Sequence, residues 1–180
     1  MANGFIQRFK GKILVPAGSL FQFGKSGATF GASGNIYSKL SAAGLGNGND
    51  TTEDTLDSFS LPANSLDVVG RMLYIYAWGM LANNAHSKTA KLYFGSEVVS
   101  TGAQTGANVG WALEMVIAKA GANSQVISGQ LITGATHGGV VNQSGTETDT
   151  SAITLKVTGQ TGTAAANDVT LNGWYVVASD

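Results

Sequence analysis

The sequence predicts an all-β fold, an antiparallel sandwich or barrel of about eight strands, and three observations lead there. Apolar and polar residues alternate in short runs of strand length instead of recurring at helical spacing. Those runs are separated by polar connectors rich in Gly, which numbers 25 in 180 residues, and few stretches carry a capped helical period. Charged residues make up only 12%, about half of ordinary usage, so Ser, Thr, Asn, Gln and Gly must cover the surface. A surface of that kind pays little charge desolvation when it is buried, which suits a permanent, repeated interface.

The chain divides at residue 49 into an N-terminal arm with linker, residues 1–49, and one domain, residues 50–180. The arm holds Arg8, Lys10, Lys12, Lys25 and Lys39 and no acid, a net charge of +5, whereas the rest sums to −6. That asymmetry points to different surroundings for the two parts. The arm's apolar runs, Phe5-Ile6 with Phe9 and Ile13-Leu14-Val15, are too short for a core and too apolar for a free tail. Such a segment becomes ordered by lying on its own domain or on a neighbouring subunit. Five charges over 49 residues are too sparse for nucleic acid, where clustered phosphate contacts carry affinity. Residues 41–49 (SAAGLGNGN) read as a flexible linker, with a short helix at 36–43 as the other reading.

From residue 50 the strands follow in order: 55–61, 71–78, 89–94, 111–118, 124–133, 151–158 and 168–178, with the leading segment available as an eighth. In 71–78, Leu73, Ile75 and Ala77 oppose Tyr74, Tyr76 and Trp78, so both faces are apolar and both are expected to be buried. In 111–118, Trp111, Leu113, Met115 and Ile117 form the apolar side. In 151–158, Ile153, Leu155 and Val157 oppose Thr154, Lys156 and Thr158, which predicts one wet face.

Chemistry finds little support. There is no cysteine, which excludes a disulfide framework and thiolate metal sites. Residues 1–12 lack the apolar run of a secretory signal, and no window approaches the roughly 18 apolar residues of a membrane span, so synthesis in the cytoplasm and no membrane partner are expected. The segment GSLFQFGKS, residues 18–26, looks like a phosphate loop but places five residues between its glycines where the motif has four, and Leu20, Phe21 and Phe23 would block the backbone amides. His86 and His137 are about fifty residues apart with no acid at relay or ligand spacing, and are expected as solvated loop residues. The acids Asp50, Glu53, Asp54 and Asp57 lack the alternating pattern of a calcium loop and are expected as a solvated lead-in to the first domain strand. Glu97, Glu114, Glu147 and Asp149 are the remaining candidates for a carboxylate pair, and no nucleophile elbow is present. No enzymatic activity, metal or cofactor is expected.

The aromatic residues are more informative. Tyr74, Tyr76, Trp78, Tyr93, Trp111, Trp174 and Tyr175 fall on predicted strands, several of them opposite the face assigned to the core. Aromatics on a second face are either internal to the domain or part of a protein interface, where their area is buried and their polar tips find partners. The interface is the preferred reading.

Residues 50–95 run from a Thr/Glu start through SLPANSL, a Gly-Arg turn, a strand ending AWG, an ANN loop and KLYFG, and residues 171–179 read LNGWYVVAS. Together these resemble the small jelly-roll domains of tailed-bacteriophage virion proteins, including head decoration (cement) proteins and fibre tips. The resemblance covers residues 50–180 and implies a two-sheet jelly roll shaped like tumour-necrosis-factor-like trimers. It implies a homotrimer, and the seven aromatic residues above, read from their strand faces, are the expected interface of that trimer. Under this reading the protein is a decoration protein on the outer capsid surface of the virion. Phe5, Ile6, Arg8, Phe9, Lys10, Lys12, Ile13, Leu14 and Val15 would then contact the major capsid protein. The alternative is a fibre or spike tip that recognises a host receptor or glycan through loops at 83–88 and 136–144.

Overall fold

A computed structural model describes residues 34–134, 136–138 and 141–179 of the chain. The arm contacts expected between Phe5 and Val15, and the segment at 18–26, lie outside the described residues. The described chain is an antiparallel jelly-roll sandwich, as expected. Its strands are β1 (Gly34–Gly46), β2 (Asp54–Leu61), β3 (Met72–Leu81), β4 (Lys88–Phe94), β5 (Glu97–Ser100), β6 (Val109–Gly121), β7 (Ser124–Thr133), β8 (Thr136–His137), β9 (Val141–Gly145), β10 (Ile153–Thr161) and β11 (Val169–Ser179).

They form a seven-stranded sheet, order β1-β11-β3-β6-β7-β8 with β9 also on β7, and a four-stranded sheet, order β2-β10-β4-β5. The chain crosses between the sheets after β1, β2, β3, β5, β9 and β10, so the last strand returns beside the first. That winding brings residues far apart in sequence onto one face, and it is what assembles the surface described below.

All seven expected strands are present, each within a few residues of its predicted span. Alternation explains why. Leu73, Ile75 and Ala77 of β3, with Leu113, Met115 and Ile117 of β6, face Leu92 and Phe94 of β4 and Leu155 and Val157 of β10 across the core, all fully buried. Each such side chain contributes about 1.5–3 kcal/mol when removed from water, so a one-residue slip of any central strand would lose the whole set.

The linker expected at residues 41–49 is corrected. β1 runs to Gly46 and pairs with β11 between Gly34 and Leu40 and again at Leu45 and Gly46, with Leu45 opposite Leu171 and a register shift between Leu40 and Leu45 where Gly44 adopts φ 77°. A bulged edge strand and a linker draw on the same residue types, because both need positive φ and neither needs alternation. Asn47 then closes the strand. It is 2% exposed, accepts from Val169 N (2.8 Å) and donates to Ala165 O (2.9 Å). The helix considered for residues 36–43 is likewise strand, and residues 34–46 belong to the sandwich, not to an arm ending at 49.

Candidate functional site

The outer face of the seven-stranded sheet is built by strands whose inner faces make the core. Ordinary pleat alternation along β3 turns Leu73, Ile75, Ala77 and Leu81 inward and Tyr74, Tyr76, Trp78 and Met80 outward. Backbone register then sets three rows across the face. Tyr175 stands opposite Tyr76, which stands opposite Glu114, which stands opposite Gln130. On one side lies the row Leu40, Gly173, Trp78, Ala112 and Ile132. On the other lie Val177, Tyr74, Val116 and Ser128.

The aromatic side chains of these rows touch. Tyr76 and Tyr175 stack with centroids 5.8 Å apart and an interplanar angle of 29°, and Trp78 lies 5.7 Å from Tyr76 and 6.3 Å from Tyr175. Gly173 sits directly beneath the Trp78 ring, where any Cβ would collide with it, so the absence of a side chain lets the indole lie down on the sheet. Around this cluster Leu40, Met80 and Val126 are exposed, Leu40 at 77%. Glu114 is the one charged residue on this face among the described residues, and it forms no ion pair among them. Tyr74 Oη donates to Met72 Sδ at 3.6 Å, and Thr170 Oγ1 at the end of the sheet donates to Met80 O at 3.2 Å.

The outer face of the four-stranded sheet has the opposite chemistry. Its rows are Ser58, Lys156, Tyr93 and Val98, then Thr55, Thr158, Lys91 and Ser100. Lys156 Nζ lies 4.5 Å from the Tyr93 ring centroid. Glu53 pairs with Lys91 and accepts from Tyr93 Oη (2.6 Å) and Thr158 Oγ1 (2.8 Å). Burial pushes the Glu53 carboxyl up, but the bonds from Lys91, Tyr93 and Thr158 outweigh it and hold the group below its usual range.

The seven aromatic residues expected to share an interface therefore separate into three places. Tyr74, Tyr76, Trp78 and Tyr175 come together. Tyr93 lies on the other sheet. Trp111 and Trp174 are 2% and 0% exposed inside the core, so neither takes part in an outer surface. Trp111 has the inward phase of Leu113 and Met115, and its Nε1 is buried without a hydrogen-bond partner among the described residues. Trp174 turns inward with Val176 because of the bulge between Leu171 and Gly173, and its Nε1 donates to Asp57 Oδ2 at 2.8 Å.

The remaining candidates are tied into structural networks. The structure corrects the expectation of solvated, partnerless histidines for His86: its Nδ1 lies 2.7 Å from Oδ2 of Asp168, which is 2% exposed and also accepts from Asn84 Nδ2 (2.6 Å) and Thr161 Oγ1 (2.8 Å). Burial raises Asp168, and the bonds from Asn84, His86 and Thr161 lower it further than burial raises it. This carboxylate pins the 83–88 connection to the turn before β11. Nearby Lys88 is fully buried with Nζ donating to Asn84 O (2.7 Å) and Gly106 O (3.2 Å).

The acids of residues 50–57 point to separate partners. Asp50 Oδ1 accepts from Thr52, Asp54 Oδ2 from Gly48 N, and Asp57 Oδ2 from Tyr37 Oη at 2.7 Å. Asp57 and Glu53 are thus held in the sandwich, not solvated. Glu147 accepts from Ser96 N and Oγ, and Asp149 is buried against Lys119 with Gln125 and Asn123. Among the described residues no group of three or more His, Asp or Glu is placed to hold a metal ion.

No family model matches the chain, and no curated protein matches it. Among solved structures it is similar to the CBM2 module of an evolved Dit of Lactobacillus casei BL23 phage J-1, with a TM-score of 0.33 and 10% identity over 68% of this chain and 69% of that one. A likeness at that level bears on neither function nor partner.

Proposed function

We propose that the chain is a non-catalytic structural module of a bacteriophage virion. In this reading it packs the outer face of its seven-stranded sheet against copies of itself, as a homotrimer seated on the outer capsid surface. One observation supports this most: a face with Tyr74, Tyr76, Trp78 and Tyr175 at its centre, aliphatic residues around them and a single charge among the described residues. Desolvating such a face is favourable, whereas the Lys, Glu, Ser and Thr groups of the opposite sheet are better left in water. The low overall charge fits an assembly of many permanent contacts.

The copy number and the virion setting rest on the sequence resemblance of residues 50–95 and 171–179. Attachment to the capsid is assigned to the basic, apolar stretch from Phe5 to Val15, where Arg8, Lys10 and Lys12 would meet acidic shell residues. Native mass spectrometry of the full chain tests the first part, with a three-copy mass expected and a single-copy mass at micromolar concentration overturning it. For the second, deleting residues 2–15 should empty capsids of the protein, and full occupancy by the truncated chain would remove the arm from the account.

A further inference from the structure

We infer that the apolar face of the seven-stranded sheet is covered, in the assembly, by residues 20–25 of a neighbouring copy, with Phe21 and Phe23 on the aromatic cluster and Lys25 beside Glu114. The inference rests on the self-packing reading above and names the segment that makes the contact. The segment GSLFQFGKS, residues 18–26, has no part in the capsid contact assigned to Phe5–Val15, and its spacing is not that of a phosphate loop. Leu20, Phe21 and Phe23 make it too apolar to be left in water. In an extended segment alternate residues share a side, so Phe21, Phe23 and Lys25 line up as two aromatic rings followed by a cation.

The face presents the matching order. Tyr175 and Tyr76 stack, Trp78 lies against both, and Glu114 follows Tyr76 on the next strand. Glu114 is half-buried and forms no ion pair among the described residues. Register places His137 opposite Ile132, on β8 at the edge of the sheet, so Glu114 is the group on this face that a cation would meet. Residues 1–33 hold Arg8, Lys10, Lys12 and Lys25 and no acid, which makes the two surfaces complementary in charge.

Reach and direction favour a neighbour. Lys25 precedes the start of β1 at Gly34 by nine residues, which span about 30 Å when extended. From β1 to Glu114 on β6 is three strand spacings, about 15 Å, so the segment has length to spare for a copy packed on the face. Gly34 stands opposite Ala178, one residue from the end of β11, so the line of β1 continued backward runs off the end of the sheet. Docking on its own face demands a reversal there, and docking on a neighbour does not. Each copy then gives one segment and receives one, an exchange that a three-membered ring closes.

The experiment replaces Phe23 of the full chain by the photo-crosslinker p-benzoylphenylalanine, with sedimentation velocity run on the wild type alongside. Illumination is expected to give a two-chain product on a denaturing gel, its crosslink mapping by peptide mass to the outer face of the seven-stranded sheet. A crosslink within one chain, a crosslink to any other part of the molecule, or none in a protein that sediments as a trimer overturns the exchange and leaves self-packing in place. A wild type that stays monomeric overturns the self-packing reading, and this inference with it. Charge reversal tests the pairing separately, with circular dichroism to show the fold unchanged. Lys25→Glu and Glu114→Lys should each weaken association about tenfold, and the double variant should recover to within about threefold of the wild type. A double variant that associates no more tightly than either single one overturns the pairing of Lys25 with Glu114.

Discussion

Trp174 and Tyr175 are adjacent on β11 and have opposite fates: Trp174 is fully buried and Tyr175 is 36% exposed. Trp174 belongs to an inner aromatic group with Tyr37 and Phe59. Tyr37 stacks on Phe59 at 4.6 Å and lies 4.9 Å from Trp174, and both polar tips of the group, Tyr37 Oη and Trp174 Nε1, donate to Asp57 Oδ2. Tyr175 belongs to the outer group with Tyr76 and Trp78, where the rings contact each other but, among the described residues, no carboxylate accepts from their tips. The difference teaches how to read aromatic residues in a sandwich. Where the chain supplies an internal acceptor the ring is serving stability, and where it supplies none the ring is left for whatever covers the sheet.

The sharpest way to break that contrast is to truncate the inner group. Trp174→Ala should lower the free energy of unfolding by about 3–5 kcal/mol, read by chemical denaturation, because a large cavity opens between the sheets. Asp57→Ala should lower it by about 2 kcal/mol, since two donors then lose their common acceptor.

Alkaline pH probes the same group. Burial, with the hydrogen bond to Asp57 and its charge adding, pushes the Tyr37 phenol up to about 12 from the model-compound value of 10.0. A raised folded-state value means the neutral phenol is favoured in the native protein. Its contribution is therefore complete below about pH 10 and is lost as pH rises toward 12. Denaturation midpoints should fall over that window, and Tyr37→Phe should fall less.

The smallest effect on stability is expected outside. Tyr76→Lys should change the unfolding free energy of the isolated chain by no more than about 1 kcal/mol, because the lysine can reach water at the edge of the ring cluster. A loss as large as that of Trp174→Ala would mean that the outer rings serve the fold after all.

Much of this contrast was legible in the sequence. The alternation of β3 separates Leu73, Ile75 and Ala77 from Tyr74, Tyr76 and Trp78 without any knowledge of the fold. Trp111 was readable too, since it shares the phase of Leu113, Met115 and Ile117, all core residues. Trp174 was harder, because the bulge at Asn172 shifts the phase of β11 and nothing local announces it. Tyr93 shows a different limit: alternation says that a residue faces outward but not from which sheet. The edge strands β5, β8 and β9 are short, which leaves little pattern to detect. The contact of His86 with Asp168 spans 82 residues and exists only because the winding of the sandwich brings the two connections to one end.

The central claim is that the two outer faces have different roles, and one comparison tests it most directly. Sedimentation velocity on the wild type, Tyr76→Lys and Tyr93→Lys places the same new charge on each sheet in turn. The account predicts a wild-type trimer, a monomer for Tyr76→Lys and an unchanged trimer for Tyr93→Lys. A trimer that survives Tyr76→Lys, or one that dissociates only when Tyr93 is replaced, would contradict it.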